Sequence, residues 1–73
     1  MRIRVQALGG LTKEDLVCEM DVREGTTVDD VAKSLPLKET PFLIFLANGS
    51  RVSGNYPLQE GDSLIIFPPV LGG

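Results

Sequence analysis

The sequence predicts an α+β domain, in which a mixed sheet of four to five strands packs on one short helix. Three observations lead to this prediction. Short segments near both ends of the chain have the alternation or the unbroken apolar character of strands. One stretch between them has the apolar spacing of a helix, and turn-forming residues separate the segments. Seventy-three residues leave room for one such domain.

A hairpin is predicted at the start of the chain. Residues 2–7 alternate between polar and apolar side chains, and residues 17–22 do so again. The loop between these two strands contains Gly9 and Gly10, which is typical of a hairpin connection. Cys18 falls on the inward row of the second strand, so we interpret it as a small buried apolar residue.

The helix is predicted after this hairpin. Its apolar stripe has the spacing i, i+3, i+4 and i+7 and consists of Val28, Val31, Ala32 and Leu35. Thr26 or Thr27 can cap the N-terminus of the helix. Pro36 ends it after about two turns.

Three more strands are predicted in the second half. Residues 42–47 are a continuous apolar run of strand length. Asn48 and Gly49 form a strong two-residue turn signal, so residues 51–53 are expected to return as a short edge strand. Residues 63–67 are the last strand, because Pro68 follows it directly.

Composition excludes several classes of function. The chain has no histidine and one cysteine, so it lacks the usual general base, the commonest metal ligand and any internal disulfide. Seven basic and ten acidic residues give a net charge of −3, which is the opposite of what nucleic acid binding requires. Most of the acidic side chains lie in the first half; they form either a solubilising surface or a docking surface for a basic partner.

The chain is also expected to be cytoplasmic and to have no contact with a membrane. No apolar run approaches the roughly 20 residues that a membrane-spanning helix needs. The first residues lack the continuous apolar segment of a signal peptide. An unpaired cysteine is typical of a reducing compartment.

The last six residues of the sequence have the character of an extended segment that can enter a partner's cleft. Pro68 and Pro69 lack backbone donors and favour an extended path away from the sheet. Gly72 and Gly73 have no Cβ atom, so they can enter a narrow cleft and bring a carboxylate to a reactive centre. We therefore predict a domain over residues 1–69 and an extended flexible tail over residues 70–73. The alternative is a frayed end without function.

This order of elements and the final glycines resemble the MoaD/ThiS family of ubiquitin-like β-grasp sulfur carriers. The resemblance is specific over residues 47–73 and topological over the rest. Its skeleton is more similar to the molybdopterin branch than to the thiazole branch and comprises Leu58, Gly61-Asp62, an apolar strand, Pro68-Pro69-Val70 and Gly72-Gly73. Residues 5–11 depart from the molybdopterin pattern, since they lack its Phe-Ala…Arg-Glu stretch.

The resemblance implies a chemistry that is shared with partner proteins. An adenylating enzyme similar to ubiquitin-activating enzymes would use ATP and magnesium to adenylate the Gly73 carboxylate. A sulfur donor would then leave a thiocarboxylate on Gly73. A synthase large subunit, or another acceptor enzyme, would take this sulfur for molybdopterin, thiamine or tRNA thiolation. The chain itself is then a carrier, not an enzyme, and binds no cofactor or metal.

A docking surface for these partners is expected on the sheet. One helix covers one face, yet the strands at residues 42–47 and 63–67 have apolar side chains on both faces. One row is expected to stay exposed as a protein contact, unless both rows fill a tight core. The predicted docking residues are Ile65, Phe67, Pro68, Pro69, Val70 and Leu71, the last four as an extended segment.

Two other functions stay open. A ubiquitin-like modifier would use the same adenylated Gly73 and would be joined through it to lysines of target proteins. A passive β-grasp binding module would not need Gly73 at all. A ferredoxin of this fold would need four cysteines for its iron–sulfur cluster, and the chain has one.

Overall fold

The α-helix and the strands follow one another in the order that the sequence predicts. The computed structural model describes residues 1–69, and the predicted tail at residues 70–73 lies outside this range. Within residues 1–69 the elements are β1 (Arg2–Ala7), β2 (Leu16–Asp21), α1 (Val28–Ser34), β3 (Ile44–Ala47), β4 (Ser50–Val52) and β5 (Ser63–Phe67). None of the helices in this range is long and apolar enough to span a membrane.

The strands form one mixed sheet in the order β2-β1-β5-β3-β4. The central pair, β1 and β5, is parallel, and the three other pairs are antiparallel. Each half of the chain thus supplies a hairpin, and β5 joins the two hairpins at the centre of the sheet. The predicted α+β class, with a mixed sheet of five strands and one short helix, is confirmed.

Helix α1 begins with a capping box. The Thr27 hydroxyl accepts a hydrogen bond from the backbone N–H of Asp30, and the Asp30 carboxylate accepts one from the backbone N–H of Thr27. This second bond holds the pKa of Asp30 below its ordinary value. The helix has seven residues and ends before Pro36, as predicted.

The core lies between α1 and one face of the sheet. Val28 and Val31 are the buried residues of the helix. They belong to one cluster with alternate side chains of the strands and with two loop residues: Ile3, Val5, Phe45, Leu64, Ile66, Leu11 and Leu58. Cys18 packs against this cluster, as predicted for the inward row of β2, but it is half-buried and not fully buried.

The apolar run at residues 42–47 forms a shorter strand than predicted. Strand β3 begins at Ile44, and the Phe42 side chain is 56% exposed. The reason lies in the neighbouring strand: Ile44 pairs with Phe67, and the two residues that follow Phe67 are prolines without a backbone donor. Strand pairing therefore stops before it reaches Phe42.

Candidate functional site

The two faces of β5 differ in burial. Leu64 and Ile66 are fully buried under α1, whereas Ile65 and Phe67 are half-buried on the opposite face. Since neighbouring residues of a strand point to opposite sides, this second face is the one that the helix leaves uncovered. We call it the open face. The structure thus places Ile65 and Phe67 on the side of the sheet where the sequence predicts them.

An apolar groove crosses the open face. It is lined by Leu8, Gly9, Leu46, Ile65, Phe67, Pro68 and Pro69. Four of these residues are predicted docking residues: Ile65, Phe67, Pro68 and Pro69. The two others of that prediction, Val70 and Leu71, lie outside the described residues, as do Gly72 and Gly73.

Leu8, Gly9 and Leu46 are the groove residues that sequence reasoning does not assign. They join the groove through strand register, because Ile65 lies between Gln6 of β1 and Leu46 of β3. This alignment depends on the placement of β5 between strands that are distant in the sequence. The alternation of apolar residues signals a face, but it does not identify the neighbours on that face.

Gly9 packs closely against the first proline, Pro68. A Cβ atom at Gly9 would lie 2.7 Å from Cδ of Pro68, and the φ angle of +74° also favours glycine. Just before it, the backbone N–H of Leu8 donates a hydrogen bond of 2.9 Å to the Ile66 carbonyl. The chain therefore leaves β5 in close contact with the loop after β1.

A polar clamp fixes the start of β5. Asp62 is 7% exposed, and its carboxylate accepts hydrogen bonds from Nδ2 of Asn48 at 2.9 Å and from the Gln59 N–H at 2.8 Å. The Ser63 N–H donates to Oδ1 of Asn48 at 2.9 Å. Asn48 has a φ angle of 52°, which a two-residue turn requires and asparagine tolerates. The clamp thus ties the turn between β3 and β4 to the strand that lines the groove.

Asn48→Gly and Asn48→Ala separate the two roles of this residue. Glycine keeps the turn but removes both side-chain hydrogen bonds, so we expect a loss of roughly 1–3 kcal/mol in the free energy of unfolding. Alanine also disfavours the positive φ angle, so its loss is expected to be larger by about 1 kcal/mol. Urea unfolding measures both values. Wild-type stability of both variants would contradict the clamp.

Charged side chains also lie on the open face. Nε of Arg2 lies 3.2 Å from Oδ1 of Asp21, and Nη1 lies 3.3 Å from Oε2 of Glu19. The hydrogen bond and the charge of Arg2 hold the pKa of Asp21 below its ordinary value. Arg4 and Arg51 are also exposed, but within residues 1–69 they form no ion pair.

Nothing in the described part of the chain resembles a metal site. No group of three or more His, Cys, Asp or Glu side chains in residues 1–69 could hold a metal ion. What the open face offers is contact area: an apolar groove, a clamped strand beneath it and arginines beside it.

SAMP1 from Haloferax volcanii has a similar fold, with a TM-score of 0.74 and 21% identity over 100% of both chains. A second structure, of H. volcanii small archaeal modifier protein 1, has a TM-score of 0.72 and 20% identity, and the match covers 94% of this chain and 98% of that chain. At such identities the likeness shows the ubiquitin-like β-grasp fold.

A chain in the complex of subunits 1 and 2 of the molybdopterin-converting factor from Helicobacter pylori is similar as well. Its TM-score is 0.62, with 23% identity over 100% of both chains. No curated protein matches the sequence at a significant level. The model of the ThiS family does match, over residues 12–73. This match spans most of the sequence, including the clamp, the groove-lining strand and the two final glycines, and the chain therefore belongs to the ThiS family.

Proposed function

We propose that this chain is a sulfur carrier whose Gly73 carboxylate is converted to a thiocarboxylate. The observation that supports the proposal is membership in the ThiS family over residues 12–73. Such membership leaves two functions, a sulfur carrier or a ubiquitin-like modifier, and both begin with activation of the same carboxylate.

The chemistry requires a partner enzyme because a carboxylate is a poor electrophile. In the proposed reaction, a Gly73 oxygen attacks the α-phosphorus of magnesium-bound ATP and pyrophosphate leaves. Sulfide then attacks the acyl carbon of the adenylate, and AMP leaves with the oxygen that linked it to the carbonyl. The product is a Gly73 thiocarboxylate. This chain supplies the terminus and the docking face, and the catalytic groups belong to the adenylating enzyme.

The open-face groove is the proposed contact for that enzyme. Ile65, Phe67, Pro68 and Pro69 would pack against it, and Val70 and Leu71 would extend the contact. Four residues separate Pro69 from the end of Gly73, a reach of at most about 14 Å. A partner that holds the groove therefore keeps the Gly73 carboxylate within this distance of the contact.

A synthase large subunit is the proposed acceptor of the sulfur. The segment Pro68-Pro69-Val70-Leu71 followed by two glycines favours molybdopterin synthesis over thiamine synthesis or tRNA thiolation. The similar fold in the complex of the two molybdopterin-converting factor subunits agrees with this choice. We place the reaction in the cytoplasm, where ATP is available and Cys18 stays reduced.

Intact mass spectrometry tests the carrier function. The chain is incubated with the organism's own adenylating enzyme, ATP, Mg²⁺ and sulfide, and we expect a gain of about 16 Da, as sulfur replaces oxygen. The matched control omits ATP and is expected to show no gain. Failure of the wild-type chain to gain this mass with any such enzyme would overturn the proposal.

The second candidate is a protein modifier, which the names of the similar archaeal structures favour. Conjugation would join Gly73 to lysine amines of other proteins. Higher-mass conjugates in cell extract, lost when Gly73 is deleted, would support the modifier. The same extract examined for the thiocarboxylate distinguishes the two functions.

A further inference from the structure

Charge is unevenly divided between the open face and the rest of the chain. The strand register and the exposed positions assign three arginines and two carboxylates to the open face: Arg2, Arg4, Arg51, Glu19 and Asp21. The rest of the sequence holds four basic and eight acidic residues. A chain with a net charge of −3 therefore has its excess of positive charge on the face that contains the groove.

Two of these arginines lie on strands on opposite sides of β5. Arg51 is aligned with Leu46, and Leu46 is aligned with Ile65. Arg4, on the other side, is aligned with Ser63, two residues before Ile65 on β5. Three strand spacings separate β1 from β4, which is about 14 Å. The strand that lines the groove, β5, thus lies between the two strands that contain these arginines.

Arg4 and Arg51 differ from Arg2 in their availability. Arg2 is neutralised by Asp21 and Glu19 on the neighbouring strand. Arg4 and Arg51 form no ion pair within residues 1–69, although Glu19, which pairs with Arg2, is aligned with Arg4 across the strands. Guanidinium groups bind carboxylates through two parallel hydrogen bonds and are well suited to protein contacts.

We propose that the partner surface covering the open face is acidic, with carboxylates placed to meet Arg4 and Arg51. This inference rests on the proposed function, since the partner is taken to be the adenylating enzyme. A basic partner surface would be drawn instead to the other sides of the chain, where acidic residues exceed basic ones two to one. A second copy of the chain would present the same positive excess, which disfavours self-association through this face.

The two arginines would contribute more to the orientation of the partner than to the binding affinity. Exposed ion pairs contribute little affinity each, but complementary charge raises the association rate and selects the correct face. The apolar groove supplies the contact area. Arg4 and Arg51 are therefore specificity-determining residues for the choice among adenylating enzymes.

A pair of double variants with the same charge change tests this. Arg4→Gln with Arg51→Gln removes two positive charges from the open face. Lys33→Gln with Lys38→Gln removes two from α1 and the segment after it. Surface plasmon resonance measures binding to the organism's own adenylating enzyme, and thermal unfolding checks that each variant is folded.

The arginine variant is expected to bind about tenfold more weakly than the wild-type chain at about 50 mM salt, mainly through a slower association rate. At about 0.5 M salt the difference should shrink to about twofold, because salt screens exposed charges. The lysine variant is expected to stay within about twofold of the wild-type chain at low salt.

Each other outcome overturns a distinct statement. If the wild-type chain gains mass in the activation assay but the arginine variant binds as tightly as wild type at low salt, the partner surface is not acidic and the carrier function still stands. If the lysine variant loses more affinity than the arginine variant, the partner contacts the helix side of the chain. A dimer of the chain alone that Ile65→Glu disrupts makes a second copy the occupant. No activation of the wild-type chain overturns both proposals.

Discussion

Deletion of Gly73 is expected to abolish the mass gain in the activation assay, and one alanine added after Gly73 is expected to have the same effect. In either variant the terminal carboxylate is displaced by one residue, about 3.5 Å, from where the partner needs it. A displacement of about 1 Å at a reacting centre can reduce a rate 100-fold. We therefore expect a loss of at least about 100-fold in rate, followed by intact mass over time.

A matched control changes the length of the chain but not its end. One alanine inserted between Glu14 and Asp15 lies in the exposed part of the loop between β1 and β2, and neither of these two residues lines the groove. This variant is expected to gain mass at the wild-type rate. Gain at that rate by the alanine-extended chain would show that the free Gly73 carboxylate is not the reacting group, and it would favour the passive binding module.

Local patterns account for most of the elements. Alternation at residues 2–7 predicts β1 with its observed bounds, and the stripe from Val28 predicts α1 with its cap and its end. These features depend on neighbours within a few residues, which a sequence displays directly. β2 and β4 each lie one residue earlier than predicted. For β4 the reason is the turn: with Asn48 and Gly49 as its two residues, Ala47 pairs directly with Ser50.

Long-range pairing accounts for what the sequence does not reveal. Leu8 and Leu46 line one groove, and Arg4 and Arg51 lie on the same face of one sheet, only because β5 inserts between β1 and β3. No local pattern specifies that neighbour or its register. The start of β3 at Ile44 has the same origin, since prolines in a different part of the chain stop its pairing before this residue.

Ile65 and Ile66 provide the sharpest test of the docking face, because they are adjacent, identical in type and opposite in orientation. Ile66 is fully buried, so Ile66→Ala is expected to cost about 2–5 kcal/mol in the free energy of unfolding. Ile65 lies on the open face, so Ile65→Ala is expected to cost less than about 1 kcal/mol. Chemical denaturation measures both changes.

Binding to the adenylating enzyme should reverse this order. Ile65 lines the groove, and truncation of a well-packed contact residue costs about 2 kcal/mol or more, so Ile65→Ala is expected to bind about 30-fold more weakly. Ile66→Ala, assayed where it remains folded, is expected to bind within about threefold of the wild-type chain, because it has no contact with the partner. If both variants bind like the wild-type chain, the partner does not use the open face, and the groove belongs to another function. If Ile66→Ala alone weakens binding, the contact depends on the rigidity of β5 instead of on the side chains of the groove.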